Sequence, residues 1–358
     1  MHLSDLHIGK RVNERSMLEE QRHILEQICC ILDDQQPDAV IIAGDIYDKQ
    51  VPSAEAVTLF DDFLVKLSRR DCKTLIISGN HDSAERNAFA SRIIRGSGIY
   101  IASPYSGEME KVTLEDEYGP VCFHMMPYMR NIQAAEELVR GTGTDGAARN
   151  VMIAHQFVTG AMKCESEDIS VGGLDNIDAS VFSDFDYVAL GHLHRPQDCG
   201  SERIRYCGSP LKYSFSEVND MKSVTIVTLR KKGELVREFI PLVPLHDWHD
   251  LKGSYEELVS LDFYSGTPYQ EDFVRITLTD EDDVPDAVGK LRTVYHNMME
   301  IRYDNTRTRA GLRIMEKAAD VEEKTPLELF GALYESQNGT EMNDIQKEFL
   351  KNLLNRIS

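Results

Sequence analysis

The sequence predicts an α/β fold, and three observations predict it. Short apolar runs rich in β-branched residues, such as 40–43 and 74–77, stop at glycine turns and read as buried strands. Helical apolar spacing fills the gaps between the early runs, giving strand, helix, strand, helix, strand. Each run also ends in Asp, Asn or His, and ligand sites in open α/β sheets collect at the carboxyl ends of strands.

The organising stretch is Val40-Ile41-Ile42-Ala43-Gly44-Asp45-Ile46-Tyr47-Asp48, which leaves the Asp45 carboxylate at a strand end. Leu3-Ser4-Asp5-Leu6-His7-Ile8-Gly9 and Thr74-Leu75-Ile76-Ile77-Ser78-Gly79-Asn80-His81-Asp82 repeat the device. So do Val151-Met152-Ile153-Ala154-His155-Gln156 and Tyr187-Val188-Ala189-Leu190-Gly191-His192-Leu193-His194. One such cluster is most simply a turn or a packed histidine. All five in this order make a multi-part motif.

Asp-x-His, Gly-Asp-x-x-Asp, Gly-Asn-His-Asp, a lone His and Gly-His-x-His form the signature of the calcineurin-like metallophosphoesterases, which this chain strongly resembles. The resemblance implies a two-sheet αββα sandwich. It also implies chemistry that suits these residue types. A phosphodiester is an anion that repels nucleophiles; two cations about 3.5–4 Å apart clamp it, stabilise the attacking and leaving oxygens, and acidify a bound water. Mixed imidazole, carboxylate and amide-oxygen ligands suit Mn, Fe or Zn better than Ca or Mg. No Cys belongs to the set, which speaks against a structural thiolate zinc site.

With 358 residues, 42% apolar and 28% charged, the chain has material for one large domain and one or two small ones. Its apolar runs are far short of a membrane span, and no signal-peptide core opens it. Seven Cys are scattered without framework spacing, which points to reduced thiols in a cytoplasm. The net charge of −21 argues against broad nucleic-acid binding by this chain alone. If DNA is the substrate, contact must be local, metal-assisted or shared with a partner.

In order, Met1, His2 and Leu3 alone precede Ser4, a short lead-in that predicts a weak first strand and suggests a truncated or misassigned start. Met17, Ile24, Ile28 and Ile31/Leu32 mark a helix over 14–34. Ser53, with Pro52 just outside, caps a second helix to about Arg70. A helix is expected around 84–96, an irregular β section over 99–125, a loop at Pro127-Tyr128-Met129 and a helix near 131–140. The long loop 156–180, with Gly172-Gly173, follows a proposed ligand and should edge the cleft. Strands follow at 203–207, 222–230 and 235–240, and the turn Cys207-Gly208-Ser209-Pro210 should lie near the site. Pro241 to Pro244 marks a domain border. A strand at 273–278, a helix over 284–296 and a strand at 299–303 form a small α/β unit. A linker over 305–325 carries Arg307, Arg309 and Arg313. Leu327, Leu329, Phe330 and Leu333, then Ile345, Phe349, Leu350, Leu353 and Leu354, space out two amphipathic helices with more apolar surface than a free tail needs, so they either fold back on the core or dock on another protein.

Beyond the motifs, Ser4 to Lys10, Gly44 to Asp48, Ile153 to Val158 and Gly191 to His194 look like the SbcD family of nuclease subunits. The likeness continues through Pro241-Leu242-Val243-Pro244, Lys252-Gly253-Ser254-Tyr255 and Pro326-Leu327-Glu328-Leu329-Phe330, and so spans nearly the whole chain. It implies a nuclease domain over 1–243, a small α/β capping domain over 244–304, a linker over 305–324, and C-terminal helices over 325–358 that bind a coiled-coil ATPase of the SbcC type. That partner would supply much of the DNA grip. By motif, Asp5, His7 and His194 would bind one metal, Asn80, His155 and His192 the other, and Asp45 both, most naturally as Mn. His81 would protonate the leaving oxygen or stabilise the transition state, and Asp82 would orient His81 or His192. Asp48 stands where some relatives carry His. Arg86 and Arg130 are candidate phosphate contacts or solvated surface residues. The likeness also implies a homodimer within a heterotetramer, 3′-to-5′ exonuclease and hairpin-opening endonuclease activity, and work in DNA repair, recombination and replication. Two other readings are a small-nucleotide phosphodiesterase, against which the capping unit and terminal helices speak, and a DNA-end tethering scaffold, against which the complete ligand set speaks.

Overall fold

The structure is a computed structural model that describes residues 1–167, 176–309, 330–331, 333–334, 342–343 and 346–350. It divides into two compact units, Met1–His249 and Asp250–Ser358.

The first unit opens with β1 (His2–Leu3), a two-residue strand, and a small hairpin of β2 (Arg11–Val12) and β3 (Arg15–Ser16). Asn13 and Glu14 take positive φ (45° and 68°) in that hairpin, so helix α1 (Leu18–Gln35) starts later than the expected residue 14. Strand β4 (Ala39–Ala43) leads to α2 (Ala54–Ser68), where the Ser53 hydroxyl accepts from the Ala56 amide as the cap chemistry requires. Strand β5 (Lys73–Ile77) follows. The helix expected over 84–96 is broken into α3 (Ala84–Asn87), α4 (Ser91–Ile94) and a 3-10 turn, Arg95–Ser97, with Ala90 left-handed between the two helices (φ 60°). Its large apolar residues Phe89 and Ile93 are 83% and 80% exposed, so no core holds that segment to one regular helix.

Strands β6 (Ile99–Ile101), β7 (Glu110–Asp116) and β8 (Gly119–Met126) resolve the irregular section, and α5 (Ile132–Gly141) begins at an Asn131 cap. Then come β9 (Arg149–His155), β10 (Tyr187–Gly191), β11 (Gln197–Cys199), β12 (Ser201–Tyr206), β13 (Ser223–Leu229) and β14 (Leu235–Pro241). One six-stranded sheet runs β14-β13-β1-β4-β5-β6, with β1, β4, β5 and β6 parallel. The other runs β11-β12-β10-β9-β8-β7. Side chains alternate along a strand. Ile41, Ala43, Leu75 and Ile77 of the first sheet therefore meet Phe123, Met125, Val151, Ile153 and Ala189 of the second in one buried cluster. The far face of the second sheet, with Met152, Ala154, Val188 and Leu190, packs on Ala135 and Val139 of α5. In the first sheet Val40 and Ile42 point away from the shared core with no exposure. The helices α1 and α2 carry the matching buried stripe, with Ile24, Ile28, Leu32, Leu59 and Phe63.

In the second unit β15 (Trp248–Gly253), β16 (Phe273–Leu278) and β17 (Met298–Tyr303) form a three-stranded sheet. Two single-turn helices, α6 (Tyr255–Leu258) and α7 (Leu261–Tyr264), precede β16. The helix expected over 284–296 is only α8 (Ala287–Arg292), because Asp286 is left-handed (φ 51°) immediately before it. A core of Leu251, Leu258, Val274, Ile276, Leu278, Leu291, Tyr295 and Met298 holds the unit. Gly172-Gly173, the linker from residue 310 on, and all of the terminal helices but 330–331, 333–334, 342–343 and 346–350 lie outside the described residues. No described helix is long and apolar enough to cross a membrane.

Candidate metal centre

Every strand expected to end in a ligand ends on one side of the first unit. The first sheet presents Asp5 and His7 after β1, Asp45 after β4 and Asn80 after β5. The second presents His155 at the end of β9, and His192 and His194 after β10. The backbone turns sharply to do this. Asp5, His7, Asp45 and His192 take positive φ (52°, 44°, 49° and 99°), a conformation non-glycine residues adopt at a cost of about 1–3 kcal/mol each when the surroundings enforce it. Neighbouring glycines let the turns approach. A Cβ on Gly79 would sit on the Asp45 carboxylate, and one on Gly191 would sit on the Ala43 carbonyl and the His155 ring.

The side chains form two overlapping groups. His7 Nε2 lies 3.0 Å from His194 Nε2 and 3.6 Å from Asp45 Oδ2. His155 Nε2 lies 3.3 Å from the same Asp45 oxygen and 3.0 Å from Asn80 Oδ1, which is 2.9 Å from His192 Nδ1. Ligand atoms of Asp5, His7 and His194 fall within 4.8 Å of one another, and so do those of Asp5, Asp45 and His155. Asp45 thus belongs to both sides.

This donor set fits divalent cations on its own geometry. Asp5 and Asp45 are 0% and 2% exposed, and no Lys or Arg pairs with either among the described residues. A buried carboxylate in that state calls for a cation. Burial raises the Asp5 pKa. At Asp45 burial pushes the same way, but the His155, His7 and His81 imidazoles outweigh it and hold the carboxyl well below the usual range. Burial likewise disfavours a charged His155, yet Asp45 overrides it and lifts the ring to about 9, whereas burial depresses His192 to about 3. The His155 Nδ1–H donates to the Ala43 carbonyl at 2.8 Å, which orients the ring so that Nε2 faces the Asp45 and Asn80 oxygens, and the proton held there is the one a cation would displace.

Residues 1–196 match the calcineurin-like phosphoesterase family. The chain belongs to that family. Members of it work with divalent metal ions, and the residues grouped above are candidates to hold them. Residues 241–338 match a second family, described as the Type 5 capsule protein repressor C-terminal domain. The chain is also similar to the SbcD component of the SbcCD nuclease of Staphylococcus epidermidis, 28% identical over 379 aligned positions that cover 100% of this chain and 98% of that protein.

The remaining candidates fall around the phosphoesterase centre. The His81 amide donates to Asp45 Oδ1 at 2.9 Å, its Nδ1 donates to the Asp48 carbonyl at 3.1 Å, and its ring stands 4.9 Å from that of His7. Asp82 differs from expectation. Instead of orienting His81 or His192, its carboxylate accepts the Gly79, Ile46 and Tyr47 amides at 2.9–3.1 Å. It therefore ties the β4 and β5 turns together. Burial, then Asp45, raise its pKa to about 6. Asp48 binds Lys10 at 2.8 Å and groups with His7 and His81. Arg86 and Arg130 are exposed. The Cys207 turn reaches the site, with Cys207 Sγ 3.1 Å from Ser4 Oγ and the Ser209 amide donating to the His194 carbonyl. Sequence reasoning missed Gln21, whose amide group holds the His7 carbonyl and the Gly9 amide. It also missed Ser166, Glu167, Glu217 and Lys222, which gather behind His194. No motif marks them; only the position of 166–167 in the loop after His155 hinted at a role.

Proposed function

We propose that this chain is the metal-dependent DNA nuclease subunit of an SbcCD-type, ATP-driven complex. One observation carries the reading: seven donor side chains from both sheets converge, with Asp45 shared, in a chain similar from end to end to a nuclease subunit. Asp5, His7, His194 and Asp45 would hold one ion and Asp45, Asn80, His155 and His192 a second, Mn suiting this mixture of donors. When bound, the ions would polarise the phosphodiester and supply a nucleophile from water at neutral pH. The chain's own residues do the rest. With its Nδ1–H committed to the Asp48 carbonyl, His81 would give a proton from Nε2 to the leaving oxygen as the imidazolium. Asp82 keeps the Asp45 and Asn80 turns in register through three amides.

In this reading residues 1–243 are the nuclease, 244–304 a cap, 305–324 a linker, and 325–358 helices that dock on a coiled-coil ATPase of the SbcC type. The chain would act as a homodimer within a cytoplasmic heterotetramer, with 3′-to-5′ exonuclease and hairpin-opening endonuclease activity in repair and recombination. The ATPase answers the charge of −21, since it can provide the DNA grip that an acidic subunit lacks. The test compares turnover on linear duplex DNA and on a cyclic nucleotide, with Mn, for the wild type and His192→Ala. Duplex cleavage lost in the variant is the expected result. Preference for the cyclic nucleotide would overturn it in favour of a small-nucleotide phosphodiesterase. Co-purification of a large coiled-coil ATPase, lost on deleting 325–358, tests the partner.

A further inference from the structure

The histidines of the centre are braced in different ways. His155 leans on a neutral carbonyl, that of Ala43. His194 leans on a charged chain. Its Nδ1 is 2.7 Å from Ser166 Oγ, which is 2.6 Å from Glu217 Oε1, and Glu217 Oε2 is 2.6 Å from Lys222 Nζ. Glu217 is 0% exposed and Lys222 5%, an ion pair far more enclosed than a surface bridge.

Proton counting orders this chain. A serine hydroxyl has one hydrogen. Glu217, paired with the Lys222 ammonium, is a carboxylate and can only accept, so Ser166 donates to it. His194 must then donate its Nδ1–H to Ser166. That leaves His194 Nε2 as a bare lone pair, and it faces His7 Nε2 at 3.0 Å in the metal group. The peptide around His194 is held by the same network. Glu167 accepts the His194 amide at 2.6 Å, and Lys222 donates to the His194 carbonyl at 2.8 Å. Ser214 Oγ and the Tyr213 amide also donate to Glu217 Oε1.

We infer, resting on the two-metal reading above, that Glu217 is a positioning residue for the ion held by His194, acting through Ser166, with Lys222 as the counter-ion that keeps its carboxylate charged. A metal-ligating imidazole is fixed in tautomer and made more basic by the acceptor behind it. Here the acceptor is a hydroxyl polarised by a carboxylate. Behind the His155 ring the hydrogen-bond acceptor is the Ala43 carbonyl, and the Asp5 carboxylate, itself in the metal group, stands 4.0 Å off without bonding through a hydroxyl, so the two ions should differ in their dependence on the Ser166–Glu217 network.

The experiment titrates Mn into the metal-free full chain by calorimetry, for the wild type, Ser166→Ala, Ser166→Thr and Glu217→Gln. Ser166→Ala keeps the Glu217–Lys222 pair whole and so is the variant least exposed to misfolding. The expected result is two Mn equilibria in the wild type, one of them weakened about 10–100-fold in Ser166→Ala and Glu217→Gln and the other unmoved. The hydroxyl of Ser166→Thr should restore it. Two unchanged affinities in Ser166→Ala, or an equal loss at both sites, would overturn the inference while leaving the two-metal reading intact. A wild type that binds no Mn would remove that reading and the inference with it.

Discussion

Asp45 and Asp250 are the same residue in opposite settings. Asp45, in the first unit, is 2% exposed and is approached by imidazoles but by no Lys or Arg among the described residues. Asp250, in the second, has a side chain 38% exposed and is gripped at both oxygens by the Arg275 guanidinium. The second unit neutralises its charges as it folds, with fixed partners at its surface, as Lys252–Asp304 and Arg307–Asp283 also illustrate. The first unit leaves the two carboxylates at its centre, Asp5 and Asp45, to imidazoles, a hydroxyl and backbone amides alone among the described residues.

The largest break in that comparison is Asp45→Asn. Removing the shared charge forfeits several kcal/mol of transition-state stabilisation, so Mn-dependent cleavage should fall at least about 10³-fold. The metal-free melting temperature should fall as well, because the buried His155 imidazole loses the carboxylate that holds it charged; an unchanged one would mean the imidazoles do not hold the Asp45 charge. Next is His81→Ala, expected to cut turnover about 10²–10⁴-fold while calorimetry still counts two Mn. A lost ion would make His81 a ligand instead. Third, Mn at 100 times its dissociation constant should stabilise the wild type by about 2.7 kcal/mol in urea unfolding, and Asp45→Asn far less. Smallest is Asp250→Asn, costing no more than about 1 kcal/mol and leaving Mn affinity and cleavage untouched.

Much of the site was legible because its residues sit at fixed offsets from strands that announce themselves. Val40 to Ala43 could hardly be other than a buried strand, and Asp45 follows from where it ends. Ser53 advertised its helix in the same local way. The helix over 84–96 misled because its apolar spacing has no core to face, as Phe89 and Ile93 demonstrate. Asp82 was misread because motif spacing reveals proximity but not which atoms bond. Ser166, Glu217 and Lys222 were silent for a deeper reason. They come from segments 28 to 51 residues apart from their partners, and only the folded chain brings them behind His194. Short β15 was missed as well, since Trp248–Gly253 alternates too briefly to register.

The donors come from two different sheets, and this has a mechanical consequence. A slip of one strand register, about 3.3 Å, would carry His155, His192 and His194 out of reach of Asp5, His7, Asp45 and Asn80. In the proposed reading, an ion gripped by both layers would act as a clasp across the open end of the sandwich. Chelation should then loosen the seam between Ile41–Ile77 and Phe123–Val151 well before it disturbs either layer alone, and amide exchange along that seam would report how tightly the clasp is closed.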